Sequence, residues 1–155
     1  ARELAAGRVG SPATLARLAE LLFMEAVHRY LASLPDASSG WCAGMRDPIV
    51  SRALGLLHAG MNRRWTAEEL ARQVGLSRSA LAERFTRLMG EPPMRYLAQQ
   101  RLQSAAQRLK ASSDSIARVA FQVGYESEAA FNRAFKRAFG VPPAAWRKQS
   151  ETRTR

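Results

Sequence analysis

Apolar side chains recur every three or four residues through most of this chain, and no stretch alternates convincingly as a half-buried strand would. In residues 12–34, Leu15, Leu18, Leu22, Ala26, Tyr30 and Leu34 fall near one helical face. Leu21, Phe23, Met24, Val27 and Leu31 widen that apolar arc well past an ordinary surface stripe. Ser11 supplies an N-cap and Pro12 suits the first helical position. A helix this apolar needs cover on two sides, either from the rest of the chain or from a further domain or second copy. Residues 35–48 are rich in turn formers (Pro35, Asp36, Ser38, Ser39, Gly40, Gly44, Pro48) and read as a connector.

From Asp47 onward every periodic segment is helical. Val50, Leu54, Leu57 and Met61 predict a helix over 49–61, with Asp47 as its cap. A second, over 66–74, opens with a capping box in which Thr66 and Glu69 satisfy each other's backbone donors. Ser77 starts a third, which stops at Gly90. A long helix follows over 93–111, a short one over 115–123, one over 127–139 between Ser127 and Gly140, and a last one over 142–148.

The chain repeats itself at a spacing of about 50 residues. Ala71, Gln73, Val74 and Gly75 match Ala120, Gln122, Val123 and Gly124. After one extra residue, Phe85, Arg87, Gly90, Pro92 and Pro93 match Phe135, Arg137, Gly140, Pro142 and Pro143. Each copy is a short helix, a turn of about four residues with glycine, and a second helix, which is the build of a helix-turn-helix. Ala71 and Ala120 are small where two helices cross steeply, and Gly75 and Gly124 stand where a positive φ is expected. Leu81, Phe85 and Leu88, and Phe131, Phe135 and Phe139, give the second helices their inner faces. The predicted fold class is all-α: two helix-turn-helix subdomains joined by a long central helix and preceded by an extra N-terminal helix. The expected division is 1–45 for the apolar helix and connector, 46–149 for the double unit, and 150–155 for a basic tail.

The outer faces of the second helices carry the candidate chemistry. They hold Arg78, Ser79, Ala82, Glu83, Thr86 and Arg87 in copy one, and Glu128, Ala129, Asn132, Arg133, Lys136 and Arg137 in copy two. An α-helix fits the major groove of B-DNA, and its first two turns reach base edges. Arg133 suits guanine, because its fork engages O6 and N7 together, and Asn132 suits adenine. Glu83 fits a cytosine amino group or is only solvated, while Ser79 and Ala82 fit a thymine methyl or read nothing. Arg78, Arg87, Lys136 and Arg137 suit phosphates, which fix register without reading sequence. About 19 residues of central helix at 1.5 Å each span roughly 28 Å, near the ~34 Å between major grooves on one face of the duplex. Such a spacer sets two recognition helices in successive grooves of an asymmetric site of about 17–20 base pairs.

Charge agrees with this. The 155-residue chain has 24 basic and 13 acidic side chains. Residues 1–45 balance Arg2, Arg8, Arg17 and Arg29 against Glu3, Glu20, Glu25 and Asp36, so the whole excess of +11 falls in residues 46–155. That points to a polyanion, nucleic acid first and an acidic membrane surface second, with a solubility feature as the alternative. One cysteine excludes an internal disulfide or a cysteine-based zinc finger. No run of 18 apolar residues and no apolar leader occur, so no membrane partner and a reducing cytosol are expected.

At these residues the chain resembles the DNA-binding domain of the AraC/XylS family of bacterial transcription regulators. Thr66–Ala71 by number 66–71, then Gly75-Leu76-Ser77-Arg78-Ser79 and Arg84-Phe85, are similar to that family's first unit. Ile116-Ala117, Val119-Ala120, Gly124-Tyr125, Phe131, Phe135-Lys136 and Gly140-Val141-Pro142-Pro143 are similar to its second. The resemblance covers residues 49–148. It implies major-groove positions at Ser79, Ala82 and Glu83 in copy one, and at Glu128, Ala129, Asn132 and Arg133 in copy two. It also implies that residues 12–34 are the helix joining a cupin-like sensor domain to the DNA-binding part, and that the chain is the C-terminal half of a longer regulator.

The expected function is therefore a sequence-specific, double-stranded DNA-binding transcription regulator in the bacterial cytoplasm. A homodimer through residues 12–34 and, for an activator, RNA polymerase are the further expected partners. The alternative is a non-enzymatic adaptor that binds a protein through its apolar N-terminal helix. An enzyme is not expected: His28 and His58 are isolated, Cys42 has no base motif beside it, and no phosphate-cradling loop or metal-spaced cluster occurs. No cofactor and no metal are expected.

Overall fold

Eight helices follow one another across the part of the chain that this computed structural model describes, which is Leu22 and residues 40–152. They are α1 (Trp41–Arg46), α2 (Pro48–Ala59), α3 (Ala67–Gln73), α4 (Arg78–Met89), α5 (Pro93–Ala111), α6 (Ile116–Gln122), α7 (Glu128–Phe139) and α8 (Pro143–Thr152). Among the described residues there is no strand. Leu22 is helical and exposed. The remainder of the apolar helix expected over 12–34, and its expected dimer face, lie outside the described residues.

Side-chain caps set most of the helix starts. The Asp47 carboxylate accepts from the backbone N–H of Ile49 at 3.1 Å and of Val50 at 3.0 Å, so α2 begins at Pro48. Thr66, Ser77, Ser115 and Ser127 each accept from the N–H three residues on and start α3, α4, α6 and α7. The Thr66–Glu69 capping box is only half made. Thr66 Oγ1 takes the Glu69 N–H at 3.0 Å, but the Glu69 carboxylate turns to Arg63 instead of returning to Thr66.

Two hydrophobic cores share α5. Val50, Leu54, Leu57, Leu70, Leu81, Phe85, Tyr96 and Leu97 centre the first. Leu102, Ala105, Leu109, Val119, Val123, Phe131 and Phe135 centre the second. One helix thus buries its N-terminal half in one unit and its C-terminal half in the other. Trp146 on α8 packs on Phe135 and Phe139 and donates Nε1 to the Ala106 carbonyl of α5 at 3.3 Å, closing the second unit.

Three segments differ from the sequence reading. Residues 41–46, expected as part of a connector, are helical. There the Gly40 N–H donates to the Leu88 carbonyl at 2.6 Å, and Gly44 is buried where an added methyl would run into the Met89 sulfur. Gly44 thus gives close approach between α1 and α4, whereas Gly40 bends the chain at a φ of +104° before α1. Helix α2 stops at Ala59, and Met61 lies beyond its end, half-buried. Helix α8 runs on to Thr152, past the expected end at Lys148.

Candidate nucleic-acid interface

The two copies are built alike at the backbone. Their second helices, α4 and α7, both have 12 residues and both end on a left-handed glycine, Gly90 or Gly140. In each turn one backbone bond of 2.9 Å returns to the first helix, from Leu76 to Ala71 and from Tyr125 to Ala120. Gly75 and Gly124 have φ of +77° and +88°, a conformation that costs glycine least. Ala71 and Ala120 are buried at the crossings. Matched bonds place Leu76 against Tyr125 and Ser77 against Ser127, so Glu126 is the residue by which copy two is longer.

The matched register pairs the outward positions. Ser79 stands where copy two has Ala129, Ala82 where it has Asn132, Glu83 where it has Arg133, and Arg87 where it has Arg137. Ser79, Glu83, Glu128, Ala129 and Arg133 are exposed, as are Arg78, Arg87, Lys136 and Arg137. Ala82, Thr86 and Asn132 are half-buried. The Ser79 hydroxyl stands 3.2 Å from that of the cap Ser77.

Ion pairing separates two kinds of cation. Arg63, Arg64, Arg84, Arg95 and Arg118 each hold a carboxylate. Arg101 and Arg108 bond to carbonyl or amide oxygens. Arg78, Arg87, Arg133, Lys136 and Arg137 have no such partner among the described residues. These five are the outward cations of α4 and α7. An exposed, unpaired cation on a helix of groove-fitting size keeps its charge and donors available for phosphate or a base edge.

Arg84 does a different task. It reaches inward from α4 to Asp47, the cap of α2. Burial raises the Asp47 pKa, but the hydrogen bond and charge of Arg84 and the backbone donors of Val50 and Ile49 outweigh it and leave the pKa below its ordinary 3.8. Reading the outer faces missed this pair. The repeat held a signal for it: Arg84 precedes Phe85 where copy two has Ala134 before Phe135, so a charged side chain occupies an inward-leaning position. Among the described residues, no group of three or more His, Cys, Asp or Glu could hold a metal ion. Nor is any helix there long and apolar enough to cross a membrane.

Comparison with known proteins gives a consistent result. A family model described as a helix-turn-helix domain matches residues 70–149, just over half of the chain. The transcriptional regulator AlkR of Acinetobacter baylyi is 43% identical over 133 residues, which cover 86% of this chain and 43% of that protein. An AraC-like protein of Streptomyces lividans is 41% identical over 131 residues, covering 84% of this chain and 43% of its own length. The chain thus spans less than half the length of these relatives. Among solved structures, the DNA-binding domain of AdpA in complex with a target DNA superposes with a TM-score of 0.66 at 30% identity, covering 69% of this chain and 96% of that one.

Proposed function

The chain belongs to the AraC-type family of helix-turn-helix transcription regulators, and from that premise we propose that α4 and α7 enter successive major grooves of double-stranded DNA and read its sequence. The observation that carries this is the pair of matched 12-residue helices, each presenting cations with no partner among the described residues. AdpA, a relative by structure, has its DNA-binding domain in complex with a target DNA, which supports the same use here.

In this reading Arg133 reads guanine and Asn132 adenine from α7, flanked by Glu128 and Ala129 at its first turn. Copy one reads less. Ser79, Ala82 and Glu83 offer one hydroxyl, one methyl and a carboxylate that phosphates repel. Arg78, Arg87, Lys136 and Arg137 hold phosphates and set register. The difference at one matched position, Glu83 against Arg133, makes the two half-sites chemically unequal, so the whole site is asymmetric. The activity is binding without catalysis, in the bacterial cytoplasm. Residues 12–34 are proposed as a dimer contact, on the strength of their broad apolar arc, and RNA polymerase as a partner where the regulator activates.

The test is equilibrium binding of the chain to a pool of random duplexes across a salt series. Neutralised phosphates release counterions, so log affinity should fall steeply and linearly with log salt. Undetectable or salt-independent binding contradicts the proposal.

A further inference from the structure

Arg101 stands near the middle of α5, between the two cores. Its Nε donates to the Met61 carbonyl at 2.8 Å and its Nη2 to the Arg63 carbonyl at 2.7 Å, both in the loop before α3. The same guanidinium lies against Gly124 in the turn of the second unit. A methyl group on Gly124 would stand 2.9 Å from Cζ and Nη2 and 3.0 Å from Nε. The matching glycine of copy one, Gly75, has nothing within 4 Å of that position. Positive φ accounts for both glycines, but close approach only for Gly124. One side chain therefore holds a loop of one unit against the turn of the other. Beside it, Arg64 pairs directly with Glu126 across the two units. Glu126 is the very residue by which copy two departs from copy one.

Burial lowers the Arg101 pKa from its ordinary value, and the charges of Tyr125 and Glu126 oppose that shift. The exposed Arg64–Glu126 pair contributes little by itself. Charge-assisted bonds from a half-buried arginine to two carbonyls are stronger. A continuous helix fixes how far apart the two units stand, whereas contacts off its axis restrain how one is rolled against the other.

We propose that Arg101, aided by the Arg64–Glu126 pair, is a positioning residue that fixes the pitch between the two recognition helices and so selects the spacing between two blocks of DNA sequence. The second half of this statement rests on the reading that both helices enter grooves.

The experiment uses the full chain with nitroxide labels at Arg72→Cys and Ala138→Cys in a Cys42→Ser background, and measures the distance distribution by pulsed electron resonance without DNA. Arg101→Met should broaden or shift the distribution relative to the parent while circular dichroism reports a folded domain. If that variant does not fold, Arg101→Lys decides instead, because it keeps the charge and the aliphatic stem but lacks the fork that reaches both carbonyls. A distribution superimposable on the parent's overturns the proposal.

In a second arm, a duplex selected by the parent from a random pool is lengthened by two base pairs between its blocks. The parent should lose about tenfold or more in affinity, and the variant less than about threefold, since a looser joint follows the displaced groove. Equal losses overturn the proposal. If the parent binds no duplex, the proposed function fails, and the label distances still judge the clamp.

Discussion

The Arg84 guanidinium of α4 holds the Asp47 carboxylate that caps α2, with Nε at 2.9 Å and Nη2 at 2.7 Å from the same oxygen. Helix α4 is thereby fastened on its inner side to the start of α2. The Asp47 side chain is only 14% exposed, so this pair is shielded from solvent better than an ordinary surface ion pair.

Replacing Asp47 by alanine removes a cap and leaves Arg84 without its partner, and should cost about 1–3 kcal/mol in denaturant unfolding at neutral pH. Asp47→Asn should cost less. The folded state binds the Asp47 proton more weakly than the unfolded chain, because its pKa lies below 3.8. The stabilisation is therefore complete above the ordinary carboxylate range and is lost as pH falls through the depressed folded value. The gap between wild type and Asp47→Asn should close on acidification through that range, as unfolding curves at a series of pH values would record. A gap that widens in acid contradicts this account of the pair.

The two cores should fail separately. Phe135 is fully buried in the second, and Phe135→Ala should cost about 3–5 kcal/mol through lost contact and cavity. Hydrogen exchange should then quicken in α6, α7 and the C-terminal half of α5, while amides around Phe85 keep their protection. Uniform loss across both units would mean that the cores are energetically one.

Much of this architecture was legible because it is local. Thr66, Ser77 and Ser127 announce helix starts within three residues of chain, and Gly75 and Gly124 announce the turns. The bounds of α5, from Pro93 to Ala111, match the segment read from the sequence. The departures come from contacts between distant segments. Gly44 looks like a turn former until Met89 is brought against it. Arg84 and Arg101 look like surface cations until their partners, 37 and 40 residues away, are in place. The same limit applies at the interface. Helical spacing put Ala82, Thr86 and Asn132 on the outer face, but all three are half-buried in the folded chain.

Arg133 and Arg137 should separate reading from holding. Arg133→Ala should cost about 1–3 kcal/mol on the selected duplex and relax preference at one base position. Arg137→Ala should weaken all sequences alike and lower the salt slope by about 1. Binding titrations on duplexes with single base changes would measure both. Equal losses by Arg133→Ala on every sequence would remove it from the reading set.

Glu83 provides the converse case. Its carboxylate is exposed and has no ion-pair partner among the described residues. Near phosphates it is repelled, so Glu83→Gln should tighten binding to all duplexes at low salt without shifting the preferred sequence. Loss of preference at a cytosine would instead make Glu83 a reader.

The central claim is that two like units, held by one helix, read two adjacent stretches of one duplex. The most direct measurement is the consensus of duplexes that the chain selects from a random pool. Two short conserved blocks with centres about 10–10.5 base pairs apart are the expected result. A single block, or no enrichment even at low ionic strength, would contradict it.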